Sequence, residues 1–139
     1  WELFLQYHRG VKSRDHFDLR LWDPKDSVGH SWAMRNFPAP GKLAITHQAR
    51  PHDRNAFDIK YVKDIMKQNV ALVLNQDATI NQSGKNKIVF DIKNTETGNL
   101  PKKFTLKKVN NKVWIFRNQD DKKHLNIEGL TAKEFIHGK

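Results

Sequence analysis

The chain has 139 residues, no cysteine, and 25 Lys plus Arg against 15 Asp plus Glu, a formal net charge of +10. The lack of cysteine excludes disulfides and thiolate metal sites, so any bound metal must take nitrogen and oxygen ligands. No apolar run approaches the roughly 18 residues of a membrane-spanning helix, and a domain this basic is expected to meet a polyanion, nucleic acid first.

In chain order, the first predicted strand is 2–8, where Leu3, Leu5 and Tyr7 alternate with Phe4, Gln6 and His8, so Gln6 and His8 share a face. The second, 16–22, alternates Phe17, Leu19 and Leu21 with His16, Asp18 and Arg20, the period of a strand with one face buried. Alternate side chains on such a face stand about 7 Å apart. If the two strands pair as a hairpin through residues 9–15, His8 approaches His16 and Asp18. Two imidazoles and a carboxylate with open positions suit a first-row divalent metal such as Mn²⁺, Fe²⁺ or Zn²⁺. Arg20, one step along the strand, would then grip an anionic ligand in a bidentate way. The competing reading is a polar surface strand whose histidine only hydrogen-bonds.

Further strands are expected at 30–35, 42–47, 70–75, 87–93, 103–109 and 113–118. Turn signals separate them at Asp23-Pro24, Pro38-Ala39-Pro40-Gly41, Gln82-Ser83-Gly84, Thr97-Gly98-Asn99 and Asn110-Asn111, the last reading as a hairpin. Residues 60–69 and 131–137 read as short helices, the second opened by Thr131 as cap with Glu134 three positions on. The Asn/Asp/Gln-rich stretch 75–86 reads as a loop. The expected fold is mainly β, a compact barrel of about eight strands with one or two short helices, forming a single domain over 1–139.

Trp32 and Trp114 are expected in the core rather than stacked on bases, with Trp22 less decided, because aromatic residues on strands are usually buried. Gly84-Lys85 lacks the rest of a phosphate-loop pattern. His30, His124 and His137 have no spaced partners and are expected at the surface. Lysines spread through the second half, among them Lys85, Lys102, Lys107 and Lys122, are expected to be mostly solvated. Asp15 and Asp18 lack the distant carboxylate that a glycosidase mechanism requires.

With these elements in place, the chain resembles the 3′-phosphoesterase domain of bacterial and archaeal DNA ligase D and its stand-alone relatives. That family carries Gln-x-His, a His-Tyr-Asp-x-Arg-Leu strand, Ser-Trp-Ala, and an Arg/Lys-Leu-Ala-Val stretch leading to His-Pro. Here the matching runs are Gln6-Tyr7-His8, His16-Phe17-Asp18-Leu19-Arg20-Leu21, Ser31-Trp32-Ala33 and Lys42-Leu43-Ala44-Ile45, in the same order. Lys103-Phe104-Thr105-Leu106 and Val113-Trp114-Ile115-Phe116 are similar to the closing strands of that barrel, so the resemblance spans about residues 1–118. It implies His8, His16 and Asp18 as metal ligands, with Mn²⁺ the first choice and Zn²⁺ or Co²⁺ as alternatives. It further implies Gln6 as a polar neighbour of that centre and Arg20 as phosphate contact and catalytic residue; Arg14 is expected as a further substrate contact.

Three departures from the family stand out. The two histidines are further apart here than is usual. The family's His-Pro reads Arg50-Pro51, with His47 and His52 nearby, and its following Gly-rich segment is replaced by the helix-like run 61–68. Arginine can supply charge and hydrogen bonds but no proton exchange near neutral pH, so Arg50 would keep phosphate binding while any acid–base role passes elsewhere. His52 is preferred to His47 for that role because loops carry site residues more freely than strands.

The expected function is metal-assisted hydrolysis of phosphoesters at the 3′ end of a nucleic-acid strand, removing a 3′-ribonucleoside or a 3′-phosphate to leave a 3′-hydroxyl for sealing. The catalytic set would be Arg20, Arg50 and His52, and the substrate contacts Gln6, Arg14, Arg20 and Arg50. Expected partners are DNA 3′ ends and primer-template, with a DNA ligase or polymerase in cis or in trans, and no membrane. The start reads as an excised domain without a signal peptide, giving a monomer in the cytoplasm beside the nucleoid, or in the nucleus of a eukaryote. The alternative is an inactive DNA-end-binding module of the same fold. A His/His/Asp oxygenase is a distant third.

Overall fold

The first two strands of this chain fold back on each other because both turn every second side chain, an apolar one, toward the core. The computed structural model describes residues 1–10, 14–52, 70–93 and 101–137. Strand β1 (Glu2–His8) pairs antiparallel with β2 (His16–Asp23), and Leu3, Leu5, Tyr7, Phe17, Leu19 and Leu21 all face the core. Asp15 ties the connection together, its carboxylate accepting from the Tyr7 hydroxyl at 2.7 Å and from Gly10 N–H at 3.1 Å.

The chain continues through β3 (Val28–Met34) and β4 (Leu43–His52), then β5 (Val70–Ser83), β6 (Lys87–Ile92), β7 (Lys102–Lys108) and β8 (Val113–Asn118). Each successive pair within β1–β4 and within β5–β8 is antiparallel. The two meanders join where β5 pairs with β1 and β4 with β8, closing an eight-strand barrel in the order β1-β2-β3-β4-β8-β7-β6-β5. Two of the turns are built by the residues that announced them, while the turn expected at 97–99 lies outside the described residues. Gly41 takes a φ of 74°, a left-handed value open to glycine, after the Pro38-Ala39-Pro40 run. Asn110 Oδ1 accepts from Lys112 N–H at 3.0 Å and Val113 N–H at 2.9 Å, setting the β7–β8 hairpin.

The barrel is filled by aromatic rings. Phe37, Phe90, Phe104 and Phe116 form one cluster, with Phe104 and Phe116 centroids 5.1 Å apart. Trp32 and Trp114 are both buried and meet edge-on at 5.6 Å. Truncating a ring such as Phe104 to alanine in such a core costs about 3–5 kcal/mol. Helix α1 (Ala132–His137) covers the end where β1 stops and β2 starts, Phe135 lying 5.7 Å from Tyr7 and 5.8 Å from Phe17. Its start is a reciprocal cap. Glu134 N–H donates to Thr131 Oγ1 at 3.0 Å, and Thr131 N–H to Glu134 Oε1 at 3.1 Å.

Several expectations are corrected. Residues 75–83 are not a loop. They are the second half of β5, which pairs with β1 up to Asp77 and with β6 from Ala78. β4 runs on through Arg50 and Pro51 to His52, with an irregularity opposite Gly29–Ser31. His30 is not a free surface residue, for it is sandwiched between Trp1 at 5.8 Å and Trp32 at 6.2 Å. Lys102 is not solvated. It is wholly buried and ion-paired to Glu128. The helix expected at 60–69 lies outside the described residues. No helix among the described residues is long and apolar enough to cross a membrane.

Candidate functional site

The face of β1 and β2 turned away from the core carries Gln6, His8, His16, Asp18 and Arg20. The register sets the grouping, with His8 opposite His16, Gln6 opposite Asp18 and Phe4 opposite Arg20. The β1–β5 ladder slips between Leu5 and Gln6, a bulge of the sort that re-aims side chains beside functional sites.

The two imidazoles stack, with centroids 4.9 Å apart and planes at 22°. His16 Nδ1 lies 3.1 Å from the Arg14 carbonyl. A carbonyl can only accept, so Nδ1 carries the proton and the neutral ring keeps its lone pair on Nε2. Nε2 faces Asp18 Oδ1 at 3.5 Å, and the other carboxylate oxygen lies 3.7 Å from Arg20 Nη2. His8 Nδ1 is buried with no hydrogen-bond partner among the described residues. Burial, His16 and Arg20 hold His8 below the ordinary histidine range, with Asp18 pulling the other way, so His8 is neutral at pH 7. The Asp18 carboxylate raises His16 against the opposing effect of burial.

This donor set fits a divalent metal chemically: a neutral imidazole with an orphaned buried nitrogen, a second whose tautomer is fixed by a backbone carbonyl, and a carboxylate. A carbonyl behind a ligating histidine is the usual outer support of such a site. Among the described residues no group of three His, Cys, Asp or Glu side chains is gathered as a finished metal cage. The stacked rings would have to turn for their nitrogens to converge.

Arg20 is built in rather than dangling. Its Nε donates to Gln6 Oε1 and its Nη1 to Ser31 Oγ, both at 2.7 Å. Burial pulls its pKa down and Asp18 pulls it back, and an arginine keeps its charge in either case. Gln6 and Ser31 are themselves almost wholly buried, so Gln6 supports Arg20 from behind and has no surface with which to meet a ligand directly. Arg14 is exposed at the head of β2. Arg50 is exposed at the irregular part of β4, beyond Ala49, which stands opposite Ser31. His52 pairs through its backbone with Gly29.

Sequence reasoning preferred His52, and the register also brings His47 onto the outer face. Asp18 lies opposite Ala33, and Ala33 lies opposite His47, so His47 shares the outer face with Asp18 across two strand spacings, about 10 Å. Ala33 is the residue between them in the ladder. Strand β3 stops at Met34, where Arg35 and Asn36 turn away to meet the C-terminal segment through Ala132 N–H to Arg35 O at 2.8 Å and the Asn36–Thr131 bridge. The gap left between β2 and β4 is an open groove of about 680 Å³, with Arg14, His16 and Arg35 on one side and Leu43, Ile45 and His47 on the other. Alternation along 42–47 could have put His47 and Ile45 on one face; only the register placed that face beside Asp18.

A scan against models of known protein families returns no match, and no curated protein matches the sequence.

Proposed function

We propose that this chain is a divalent-metal-dependent phosphoesterase acting on the 3′ ends of nucleic-acid strands, removing a 3′-terminal ribonucleoside or phosphate in end processing for repair. The observation that carries the reading is the shared face of His8, His16, Asp18 and Arg20 opening at its His16 edge into a groove rimmed by further cations. The resemblance to the ligase D phosphoesterase domain points the same way. His8, His16 and Asp18 would hold the metal, Mn²⁺ first and Zn²⁺ or Co²⁺ as alternatives. When bound, such an ion supplies Lewis acidity at a phosphoryl oxygen and a water acidic enough to attack near neutral pH.

The chain's own residues do the rest. Arg20, locked by Gln6 and Ser31, holds Asp18 in place and keeps a fixed positive charge beside the phosphoryl oxygens, where preorganised charge is worth about 10²–10³ in rate. The Arg14 carbonyl keeps His16 Nε2 available. Arg14 and Arg50 would add phosphate contacts, and His47 or His52 would exchange a proton with the leaving oxygen. The net charge of +10 would draw in the strand, a DNA ligase or polymerase acting next on the 3′-hydroxyl.

The stacking of the two imidazoles favours a second reading, a module that binds DNA ends without cutting them. One experiment separates the two. A 5′-labelled primer-template ending in a single 3′-ribonucleotide is incubated with and without Mn²⁺ and resolved on a sequencing gel. Metal-dependent loss of the terminal residue, absent in His16→Ala, supports the enzyme. An intact primer that shifts on a native gel supports the binding module.

A further inference from the structure

The groove beside His16 has a wall that phosphate chemistry does not call for. Among the described residues three large hydrophobic side chains are exposed, Leu43 at 40%, Ile45 at 60% and Val109, and the first two lie together in this groove. Both project from the outer face of β4, the face that His47 shares, while Arg14 and Arg35 rim the same space. Adjacent exposed aliphatic residues inside a cationic rim mark a contact surface for something that is flat and apolar in part and anionic in part.

We infer that the groove is a nucleoside subsite: the terminal base of the strand lies against Leu43 and Ile45, its sugar passes over Ala33, and an adjoining phosphate faces Arg14 and Arg35. The inference rests on the phosphoesterase reading for the position of the reacting phosphate at the His16 and Asp18 edge. Charge complementarity favours this occupant over a peptide or a second copy of this strongly basic chain. The volume, about 680 Å³, falls within the range of about 300–1,000 Å³ usual for small-ligand pockets and leaves room for a nucleotide. Ala33 matters because any larger side chain there would fill the floor between Asp18 and His47.

The subsite is tested by binding, independently of cleavage. Fluorescence anisotropy in EDTA compares a 5′-fluorescein single strand ending in an ordinary nucleotide with the same strand ending in an abasic sugar. Covering about 50 Å² of aliphatic wall corresponds to about five- to tenfold in affinity, so the abasic end binds that much more weakly. Ile45→Thr keeps β-branching at an exposed strand position, so its melting temperature stays with the parent's. This variant binds the ordinary end more weakly and distinguishes the two ends less than the parent does. Equal binding of both ends by the parent overturns the inference, as does undiminished discrimination by Ile45→Thr. If 3′ ends are hydrolysed without such discrimination, only the subsite falls. If neither strand binds in EDTA the subsite falls, while the phosphoesterase reading stands or falls by the Mn²⁺-dependent primer assay.

Discussion

Replacing Glu128 by glutamine changes one oxygen and removes one charge at a place where the fold has no slack. Glu128 and Lys102 are both wholly buried and paired with each other. The carboxylate also accepts from Asn118 Nδ2 at 2.5 Å, His124 N–H at 2.6 Å and Leu125 N–H at 2.7 Å. Four donors therefore converge on two oxygens. A glutamine offers one oxygen and turns an NH₂ toward groups that can only donate, while Lys102 keeps a buried ammonium whose remaining acceptor is the Lys122 carbonyl at 2.6 Å. Breaking one side of a buried pair costs about 3–5 kcal/mol. For 139 residues at about 2.1 cal/mol/K each, the unfolding entropy is about 0.29 kcal/mol/K, so the melting temperature of Glu128→Gln should fall by about 10–17 °C. Differential scanning calorimetry at pH 7 reads this directly. The double change Lys102→Met with Glu128→Leu should recover much of the loss, because neither charge then stays buried alone. The pH dependence has a defined sign. Burial alone would raise the Glu128 pKa, but Lys102, Leu125, Asn118 and His124 outweigh it and hold it below its ordinary value of 4.5. The pair's stabilisation is thus fully present above pH 4.5 and is lost as pH falls through the lower folded value, a slope that Glu128→Gln should lack. A variant melting within about 3 °C of the parent would refute the reasoning, since about 1 kcal/mol is too little for an abandoned buried charge.

Other outcomes follow from the site. Asp18→Asn, which keeps shape and loses the anionic ligand, should cut Mn²⁺-dependent primer trimming about 100-fold or more, and full activity on the gel would remove Asp18 from the metal set. Gln6→Met strips the acceptor from Arg20 Nε and should cost about 1.5–3 kcal/mol in a urea melt, with trimming slowed through a lower kcat rather than a higher KM. Binding of a single strand should fall with salt at a log–log slope of about −0.7 per phosphate contact, and Arg35→Ala should lower that slope by about one contact; an unchanged slope would place Arg35 off the strand's path.

Much of the barrel was legible because β2, β6, β7 and β8 bury alternate residues, and alternation is what a strand facing a core imposes. The hairpin at Asn110, the Pro38–Gly41 turn and the Thr131–Glu134 cap were legible for the same reason, each being short-range chemistry. The end of β5 was not. Asn75, Gln76, Asp77, Asn81 and Gln82 have the composition of a loop and become a strand only because β1 offers their backbone a ladder up to Asp77 and β6 from Ala78 on. Lys102 was misread because nothing in the sequence near it foretells Glu128 26 positions on. The cluster His8, His16, Asp18 was legible because a hairpin puts near neighbours in sequence opposite one another. The groove was not, because it depends on the β3–β4 register and on β3 stopping at Met34.

The closing of β5 onto β1 and of β4 onto β8 has a consequence for assembly. Each of the eight strands pairs with two neighbours, but only over part of its length: among the described residues the β3–β4 register does not reach Leu43–Thr46, so this stretch of β4 keeps an edge beside the groove. A strand added to this sheet would therefore enter at such a stretch, at the rim of the groove, rather than along the closed part of the barrel. Elsewhere the closure guards a chain rich in β-strand from pairing edge to edge with copies of itself.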